Sequence, residues 1–438
     1  MLFCSTTLAL LAGGVPPAVA SHPGPWGFGL NDVGQVGDGT PIVTPAEEEI
    51  VTPAFNPYPT TIVGSHTFTK VAGGGSHSLG LKLDGTVWAW GLNSSGQLGN
   101  GTTTASSTPV KVTGLIAITD ISAGGAHSAA VDITGKVHAW GSNSFGQLGD
   151  GSTDNSLTPV RVEAVGGGDG TTLEGVTKVA AGANHTLALN LKRTVYAWGS
   201  NSFGQLGDET TTDRTTPVVV SVISNVKAIS AGSHSLAITD GVASGSTDDP
   251  VYAWGQNNRG QLGIAADLDP HPKPEKVPGM PLGATQVAAA SAAGFSLALK
   301  GGEVFSWGAN FAGQLGHGNR VTGNKTGDPD CLCDHKPNRV KTSIDKALSG
   351  ITGIAAGYFH ALAIQSVGTA TTNVVAWGNN QYGQLGNGKD DVFGEGPEDC
   401  NGFNCSWFAI KVKDSSSSSD DLANVSTIAA GSNHSLAG

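Results

Sequence analysis

The stretch AWGSNSFGQLGDGSTDNSLTPV at residues 139–160 decides the fold, because its first twelve letters return unchanged at residues 197–208. Weaker copies recur along the chain, each centred on an asparagine: Asn31, Asn93, Asn143, Asn201, Asn257, Asn310 and Asn380. Successive copies are 50 to 70 residues apart, and the variation falls in polar loops. A repeat of this period predicts one supersecondary unit per copy, stacked into a solenoid or a ring.

A second element of the form AGxxHSLAL alternates with the first and also occurs seven times. Its centres are His77, His127, His185, His234, Phe295, His360 and His434. The chain opens with a first element that has no second element before it, and it closes with a second element that has no first element after it. These two orphans complete one unit if the chain ends pair, which predicts a closed ring with one composite blade.

The composition suits short strands joined by tight turns. Glycine supplies 65 of the 438 residues, whereas Lys, Arg, Asp and Glu together supply 13%. In VWAWG (87–91), Trp88 and Trp90 point to one face of a strand and Ala89 points to the other. Repetition of this pattern lets the bulky face of each blade rest on the small face of the next blade. The sequence therefore predicts an all-β propeller with seven blades.

The two repeated elements resemble the repeat of the regulator of chromosome condensation family over about residues 25–438. The resemblance implies a seven-bladed β-propeller with four-stranded blades, closed by pairing of the N-terminal strand or strands with the C-terminal half-blade. It does not imply one function, because members include a nucleotide exchange factor, a plant ultraviolet-B photoreceptor and a secreted inhibitor of β-lactamase. In character, this chain is closest to exported bacterial-type members.

The first 20 residues, MLFCSTTLALLAGGVPPAVA, end in the small-residue pattern of a secretory signal, although no Lys or Arg precedes the apolar core. We expect a signal peptide at 1–20, one propeller domain at 21–438, and a secreted or extracytoplasmic location. A truncated or misassigned start is the alternative. No later stretch is apolar enough for a membrane span. The net charge of −12, without a basic patch, argues against a nucleic-acid partner.

Three inserted loops are predicted, at about residues 40–62, 317–338 and 387–407. The last two contain the four cysteines that remain after signal removal: Cys331, Cys333, Cys400 and Cys405. An even number of cysteines fits disulfide bonding in an oxidising compartment. The pairing is open between bridges across the two loops and a local Cys400–Cys405 bond.

Metal binding in these loops is the weaker interpretation. The four thiols could hold zinc in a reducing compartment. Asp328, Asp330 and Asp334 offer the hard oxygen ligands that calcium prefers, but their spacing matches no known calcium loop. We therefore predict no cofactor and no metal.

Residues that recur in every unit are expected to be structural, since a functional site usually occurs once. Neighbouring residues of a strand point to opposite faces, so His77 and Ser78 cannot serve as a base and its nucleophile. Gln97 and its equivalents in GQLG are expected to bond backbone groups of their own loop. The sequence predicts no catalytic residue.

The variable pair in AGxxHS is the candidate binding position. In the photoreceptor branch of the family this pair is Trp-Arg on a partner-facing surface, and its absence here disfavours light sensing of that type. Only Tyr358 and Phe359 place aromatic side chains at this position, and exposed aromatic residues favour binding hot spots. Burial under the inserted loops is the alternative. Asn184 and Asn433 occupy the same position in other units.

The sequence thus predicts a monomeric, non-catalytic, exported propeller that binds a protein or a surface ligand through its blade loops. One alternative is a guanine nucleotide exchange factor for a small GTPase, by family analogy, which requires an intracellular location. The other is an enzyme with a site in the central channel or the inserted loops. That enzyme requires His, Asp or Glu side chains that converge at one channel mouth.

Overall fold

A computed structural model describes residues 24–42, 54–64, 66–163, 173, 175–241, 249–291, 294–318, 332–368, 371–388, 404–414 and 421–438. Within these ranges the regular structure consists of seven four-stranded antiparallel sheets and one two-stranded hairpin. The prediction of an all-β, seven-bladed propeller with four-stranded blades is confirmed. The predicted signal peptide at 1–20 lies outside the described residues.

We number the blades in chain order from the composite one. Blade 1 has β1 (Trp26–Leu30), β2 (Phe55–Thr61), β29 (Ile428–Ala430) and β30 (His434–Ala437). Blade 2 has β3 (Phe68–Gly73), β4 (His77–Lys82), β5 (Val87–Gly91) and β6 (Ser106–Lys111). Blade 3 has β7 (Ile118–Ala123), β8 (His127–Asp132), β9 (Val137–Gly141) and β10 (Ser156–Arg161). Blade 4 has β11 (Val176–Ala181), β12 (His185–Asn190), β13 (Val195–Gly199) and β14 (Arg214–Val219).

The remaining blades follow the same order. Blade 5 has β15 (Val226–Ala231), β16 (His234–Thr239), β17 (Val251–Gly255) and β18 (His271–Lys276). Blade 6 has β19 (Gln286–Ala289), β20 (Phe295–Lys300), β21 (Glu303–Ala309) and β22 (Cys333–Arg339). The hairpin β23 (Lys341–Ser343) and β24 (Lys346–Ala347) leads to blade 7, which has β25 (Ile351–Ala356), β26 (His360–Val367), β27 (Thr371–Asn379) and β28 (Cys405–Lys411).

Blade 1 closes the ring as predicted. Its strand order is β2-β1-β30-β29, so strands from both ends of the chain form one sheet. Trp26 lies opposite Ala437 and Phe28 lies opposite Ser435 in the antiparallel pair β1–β30. Phe28 is fully buried in a cluster with residues of blade 7, so the closing strand also completes the last joint between blades.

The two ends of the ring differ. We count the four strands of each blade outward from the channel, so the strands of blade 1 are β29, β30, β1 and β2 in that order. The loops after the first and third strands of each blade lie at one end, which we call the loop face. The hairpin turn after the second strand and the link to the next blade lie at the other end, which we call the turn face. The three predicted inserted loops start after the third strands β1, β21 and β27, at the loop face, and most of their residues lie outside the described ranges. They are shorter than predicted, because the polar outer strands β2, β22 and β28 already begin at Phe55, Cys333 and Cys405.

The backbone carbonyl of the glutamine in each GQLG loop joins one blade to the next. Between blades 2 and 3, the Gln97 carbonyl accepts hydrogen bonds from Ser128 Oγ (3.0 Å) and Trp140 Nε1 (2.9 Å). The Trp140 ring packs in one cluster with Leu79 and Ala89 of blade 2, as the alternation of bulky and small residues predicts. The same two-bond arrangement recurs at Gln35, Gln147, Gln205 and Gln261.

The repeated histidine of each blade bonds the hydroxyl of the next blade, not its own neighbour. His77 Nε2 lies 2.9 Å from Ser128 Oγ, and His434 Nε2 lies 2.9 Å from Ser78 Oγ. Equivalent bonds join His127–Thr186, His185–Ser235, His234–Ser296 and His360–Ser435. Since each hydroxyl donates its proton to a glutamine carbonyl, it accepts from histidine, whose Nε2 therefore carries a proton.

The joint between blades 6 and 7 departs from this pattern. Phe295 stands where the other blades have histidine, and Ala361 stands where they have Ser or Thr. Both are fully buried and belong to one apolar cluster. The Gln314 carbonyl there accepts only from Trp377 Nε1, at 2.9 Å. Because both polar partners are replaced together, neither is left buried without the other.

The buried histidines predict acid sensitivity. Burial lowers the pKa of His77, His185, His234, His360 and His434 from 6.5 to about 3, and that of His127 to about 4. Between pH 6.5 and these values the unfolded chain binds more protons, so the free energy of unfolding falls as pH falls. Each histidine contributes up to about 1.4 kcal/mol per pH unit. Denaturant unfolding from pH 7.5 to pH 5, above the carboxylate range, measures this slope, and a flat profile contradicts the assignment.

The apolar joint suggests a matched test of the polar ones. Ser128→Ala alone leaves His77 Nε2 buried without its partner, and we expect a loss of about 1–3 kcal/mol in the free energy of unfolding. The double change His77→Phe with Ser128→Ala reproduces the natural Phe295 and Ala361 pair, so it should cost less than the sum of the single changes. It should also lower the acid slope by about one histidine's share. Additive losses in denaturant unfolding would refute coupling across the joint.

Candidate functional site

The inner loops of the loop face form a chain of backbone hydrogen bonds around the channel mouth. Gly125 N donates to the Gly182 carbonyl (3.1 Å), and Ala183 N donates to the Gly232 carbonyl (2.9 Å). Between blades 7 and 1, Tyr358 N donates to the Ser432 carbonyl (3.3 Å). Among the described residues such bonds join each pair of neighbouring blades from blade 7 through blade 1 to blade 6, so side chains on this ring of loops are presented from a hydrogen-bonded base.

The predicted binding residues occupy this ring but do not form one cluster. Asn433 follows Ser432 and therefore adjoins the loop that carries Tyr358, and its carbonyl accepts from Leu30 N (2.8 Å). Asn184 is exposed on blade 4, three blades away, and lies outside the aromatic cluster. Asn433 is thus placed beside the site and Asn184 apart from it.

Tyr358 and Phe359 form an aromatic cluster with a residue of the neighbouring blade. Their ring centroids are 4.3 Å apart, and Phe359 meets Phe311 edge to face at 6.5 Å. All three side chains are partly buried, and Tyr358 and Phe359 pack against the apolar core that contains Phe295. These rings therefore keep part of their surface accessible. They are neither fully exposed nor fully buried, which were the two alternatives for Tyr358 and Phe359.

Arg259 of blade 5 completes the cluster. Its guanidinium carbon lies 4.9 Å from the centroid of the Phe311 ring. Gly294 lies beneath it with a φ of +69°, and a Cβ at that position would be 3.1 Å from Arg259 Cγ. The glycine therefore provides both the backbone conformation and the space for the arginine stem. We call Arg259, Phe311, Tyr358 and Phe359 the aromatic–arginine site.

The sequence indicates only half of this site. Arg259 and Phe311 occupy the variable pair of NxxGQLG, whose equivalents in blades 3 and 4 include Phe145 and Phe203. The presence of Arg259 and Phe311 at a variable position of the repeat was the sequence signal for a binding residue. One sequence does not show, however, that loops from blades 5 and 6 meet a third loop from blade 7.

The cysteines and the calcium candidates have separate outcomes. Cys333 and Cys405 are described and each is disulfide-bonded, whereas Cys331 and Cys400 lie outside the described residues, so the pairing stays a prediction. Asp328 and Asp330 also lie outside them. Asp334 is buried and accepts hydrogen bonds from Lys336 N and Asn338 Nδ2, both at 3.1 Å, which gives it a role within β22. Among described residues no group of three or more His, Cys, Asp or Glu is arranged for a metal.

The turn-face end of the channel carries a charged group that the repeat pattern does not indicate. Lys70 of blade 2 and Lys178 of blade 4 approach the same Asp120 oxygen of blade 3, at 2.5 and 3.6 Å. The other Asp120 oxygen accepts from Val179 N at 3.0 Å. A cavity of about 930 Å³ lies beside the two lysines, with Thr352 and Thr427 among its other lining residues. The buried Asp120 carboxylate therefore links three blades, and it does not stand free as a base.

Blade 6 contains one serine–histidine contact within a single unit. Ser306 Oγ donates to the Leu315 carbonyl at 2.6 Å and lies 2.8 Å from His317 Nε2. Ser306 is fully buried, and burial lowers the pKa of His317 to about 4 despite the opposing effect of Asp334. The hydroxyl proton is already directed at a carbonyl and the oxygen is inaccessible, so this pair is built as a structural contact.

The fold and its joints define the class of protein: a seven-bladed propeller built from the repeat of the regulator of chromosome condensation. The RCC1-like domain matches residues 6–329, and the RCC1 repeat matches residues 301–364 and 373–437. The chain therefore belongs to the RCC1-like family. The described residues include no helix with the length and apolarity that a membrane crossing needs.

Relatives in this family have diverse roles. The chain is 32% identical to the Arabidopsis thaliana ultraviolet-B receptor UVR8, over 83% of this chain and 62% of the receptor. It is 39% identical to the probable human E3 ubiquitin-protein ligase HERC6, over 32% of this chain but 13% of the ligase. The chain thus spans less than two thirds of either relative.

Solved structures agree with the fold. Human WBSCR16 superposes with a TM-score of 0.69 at 22% identity, covering 94% of this chain and 98% of that one. Prp20p of Saccharomyces cerevisiae superposes with a TM-score of 0.70 at 22% identity, covering 95% and 92%. These likenesses support the propeller architecture.

Proposed function

We propose that this protein is an exported, non-catalytic binding module that engages a protein through its loop face. The observation that carries the proposal is the aromatic–arginine site, in which four side chains from three blades converge at the loop face and remain partly accessible. Aromatic residues and arginine are the side chains that most often dominate protein interfaces. The repeated His and Ser side chains are committed to the joints, which supports the non-catalytic assignment.

The relatives are consistent with a binding role. Prp20p of Saccharomyces cerevisiae has binding properties to Gsp1p and histones, and yeast RCC1 has been crystallised bound to Kap60. These partners belong to those proteins. Exchange activity on a small GTPase remains the second candidate for this chain, by family analogy alone.

Export is supported by the signal-like residues 1–20 and by the even cysteine set. Mass spectrometry of the protein purified from its native source, with and without reduction, tests it. We expect a chain that begins at Ser21 and gains the mass of four hydrogen atoms on reduction, since the reductant would open two disulfides to four thiols. A chain that begins at Met1 with free thiols would favour the intracellular exchange-factor alternative.

Photo-crosslinking from defined positions tests the loop face. A benzoylphenylalanine at Asn433 reports on the loop face, and one at Leu83, a turn-face residue that is 91% exposed, serves as the matched control. We expect crosslinks to a defined surface protein of the producing cells from position 433 only. The double variant Tyr358→Ala and Phe359→Ala should abolish them, whereas Phe145→Ala should not. Equal crosslinking from both faces would reject the proposal.

A further inference from the structure

We infer that the aromatic–arginine site recognises a carboxylate group attached to an apolar or aromatic segment, such as an acidic side chain next to a hydrophobic one in a peptide. The inference rests on the proposed loop-face binding function and specifies the chemistry of the partner. It follows from the charge and the accessible atoms of Arg259 and from the shape of the rings beside it.

Arg259 is a cation without an acidic partner among the described residues. Of the other described arginines, Arg193 pairs with Asp240, Arg214 pairs with Asp208 at 2.8 Å and Arg339 pairs with Glu303 at 3.0 Å, whereas Arg161 has no ion pair with the described residues. The guanidinium of Arg259 instead lies over the Phe311 ring. Arg339 also lies over a ring but is paired with Glu303, so Arg259 is the described arginine that combines an aromatic contact with the absence of an ion pair.

The contact with the ring leaves Arg259 able to bind a further group. Its guanidinium makes no hydrogen bond to the described residues, so its N–H donors are available to a ligand. These donors match the two oxygens of a carboxylate, which can accept two parallel hydrogen bonds. The partly buried position strengthens such a bond relative to bulk water, because fewer waters compete for the donors.

The three rings supply the apolar half of the site. Phe311 and Phe359 meet at 90°, so their surfaces form a corner, and Tyr358 extends it from the adjacent position. Below them the joint of Phe295 and Ala361 is apolar, whereas the other joints carry a histidine and a hydroxyl. This apolar joint thus lies beneath the corner formed by Phe311 and Phe359 and gives that corner a dry and rigid support.

A phosphate ligand fits the site less well than a carboxylate. Phosphate sites usually combine several cations with converging backbone amides. Among the described residues only one cation contacts this cluster. Nucleotides and nucleic acids are therefore disfavoured, and a single carboxylate matches the single arginine.

Two fragments that differ only in charge test the inference: 3-phenylpropionate and 3-phenylpropanamide. Saturation-transfer NMR titrations with the full chain at pH 7 should show the acid binding about three- to tenfold more tightly than its amide. Arg259→Gln should remove this preference, because it keeps a polar side chain but loses the charge and the guanidinium fork. Arg259→Lys should restore part of it. Phe311→Ala should weaken both fragments.

The controls separate a local effect from a general one. Phe203→Ala changes an exposed aromatic residue at the station that Arg259 occupies in blade 5, and it should leave both affinities unchanged. Equal binding of acid and amide, no binding of either fragment, or a preference that survives Arg259→Gln would overturn the inference. The fragment result does not depend on a cellular partner. A failure of crosslinking with an intact acid preference would therefore count against the proposed function alone.

Discussion

The glutamine carbonyl of each GQLG loop is the point on which the ring depends. In five joints it accepts two hydrogen bonds from the next blade, one from a hydroxyl and one from a tryptophan indole, as Gln97 does with Ser128 and Trp140. The loop can offer this carbonyl because its own side chains satisfy its backbone: Gln97 Oε1 accepts from Ser95 N, and Asn93 Oδ1 accepts from Leu98 N. The repeated letters thus encode contacts between blades as much as the blades themselves.

The departures from the repeat are informative for the same reason. Ala361 and Phe28 each remove one of the two donors, and the remaining donor keeps the carbonyl paired. Phe28 belongs to the closing strand, where packing against blade 7 compensates for the missing indole. Ala361 belongs to the joint with Phe295, directly below the aromatic–arginine site. The repeat therefore varies at joints where the glutamine carbonyl keeps one hydrogen-bond donor. The joint between blades 6 and 7 is one of these, and the candidate site lies above it.

Much of the fold could be predicted from the sequence, because repetition reports architecture directly. The orphan halves predicted the composite blade, and the alternation around Trp90 predicted the packing between blades. The argument that His77 and Ser78 face apart was correct, but their partners, Ser128 and His434, depend on how neighbouring sheets are aligned, which periodicity does not encode. Arg259 and Phe311 were missed because their contact depends on how three blades are arranged. The outer strands β2, β22 and β28 were predicted to be loop because their residues are polar.

The composite blade also constrains how the molecule can assemble. Ser78 and His434 meet across 356 residues of chain, so the contact that locks blades 1 and 2 is among the last that a growing chain can make. Before it forms, the two halves of blade 1 present the open edges of β1 and β30, and the Gln384 carbonyl lacks its donor Ser435, a state prone to misassembly. Ring closure is then a late step in the folding of the propeller, and substitutions in β1 or β30 should reduce yield more than they alter the folded protein.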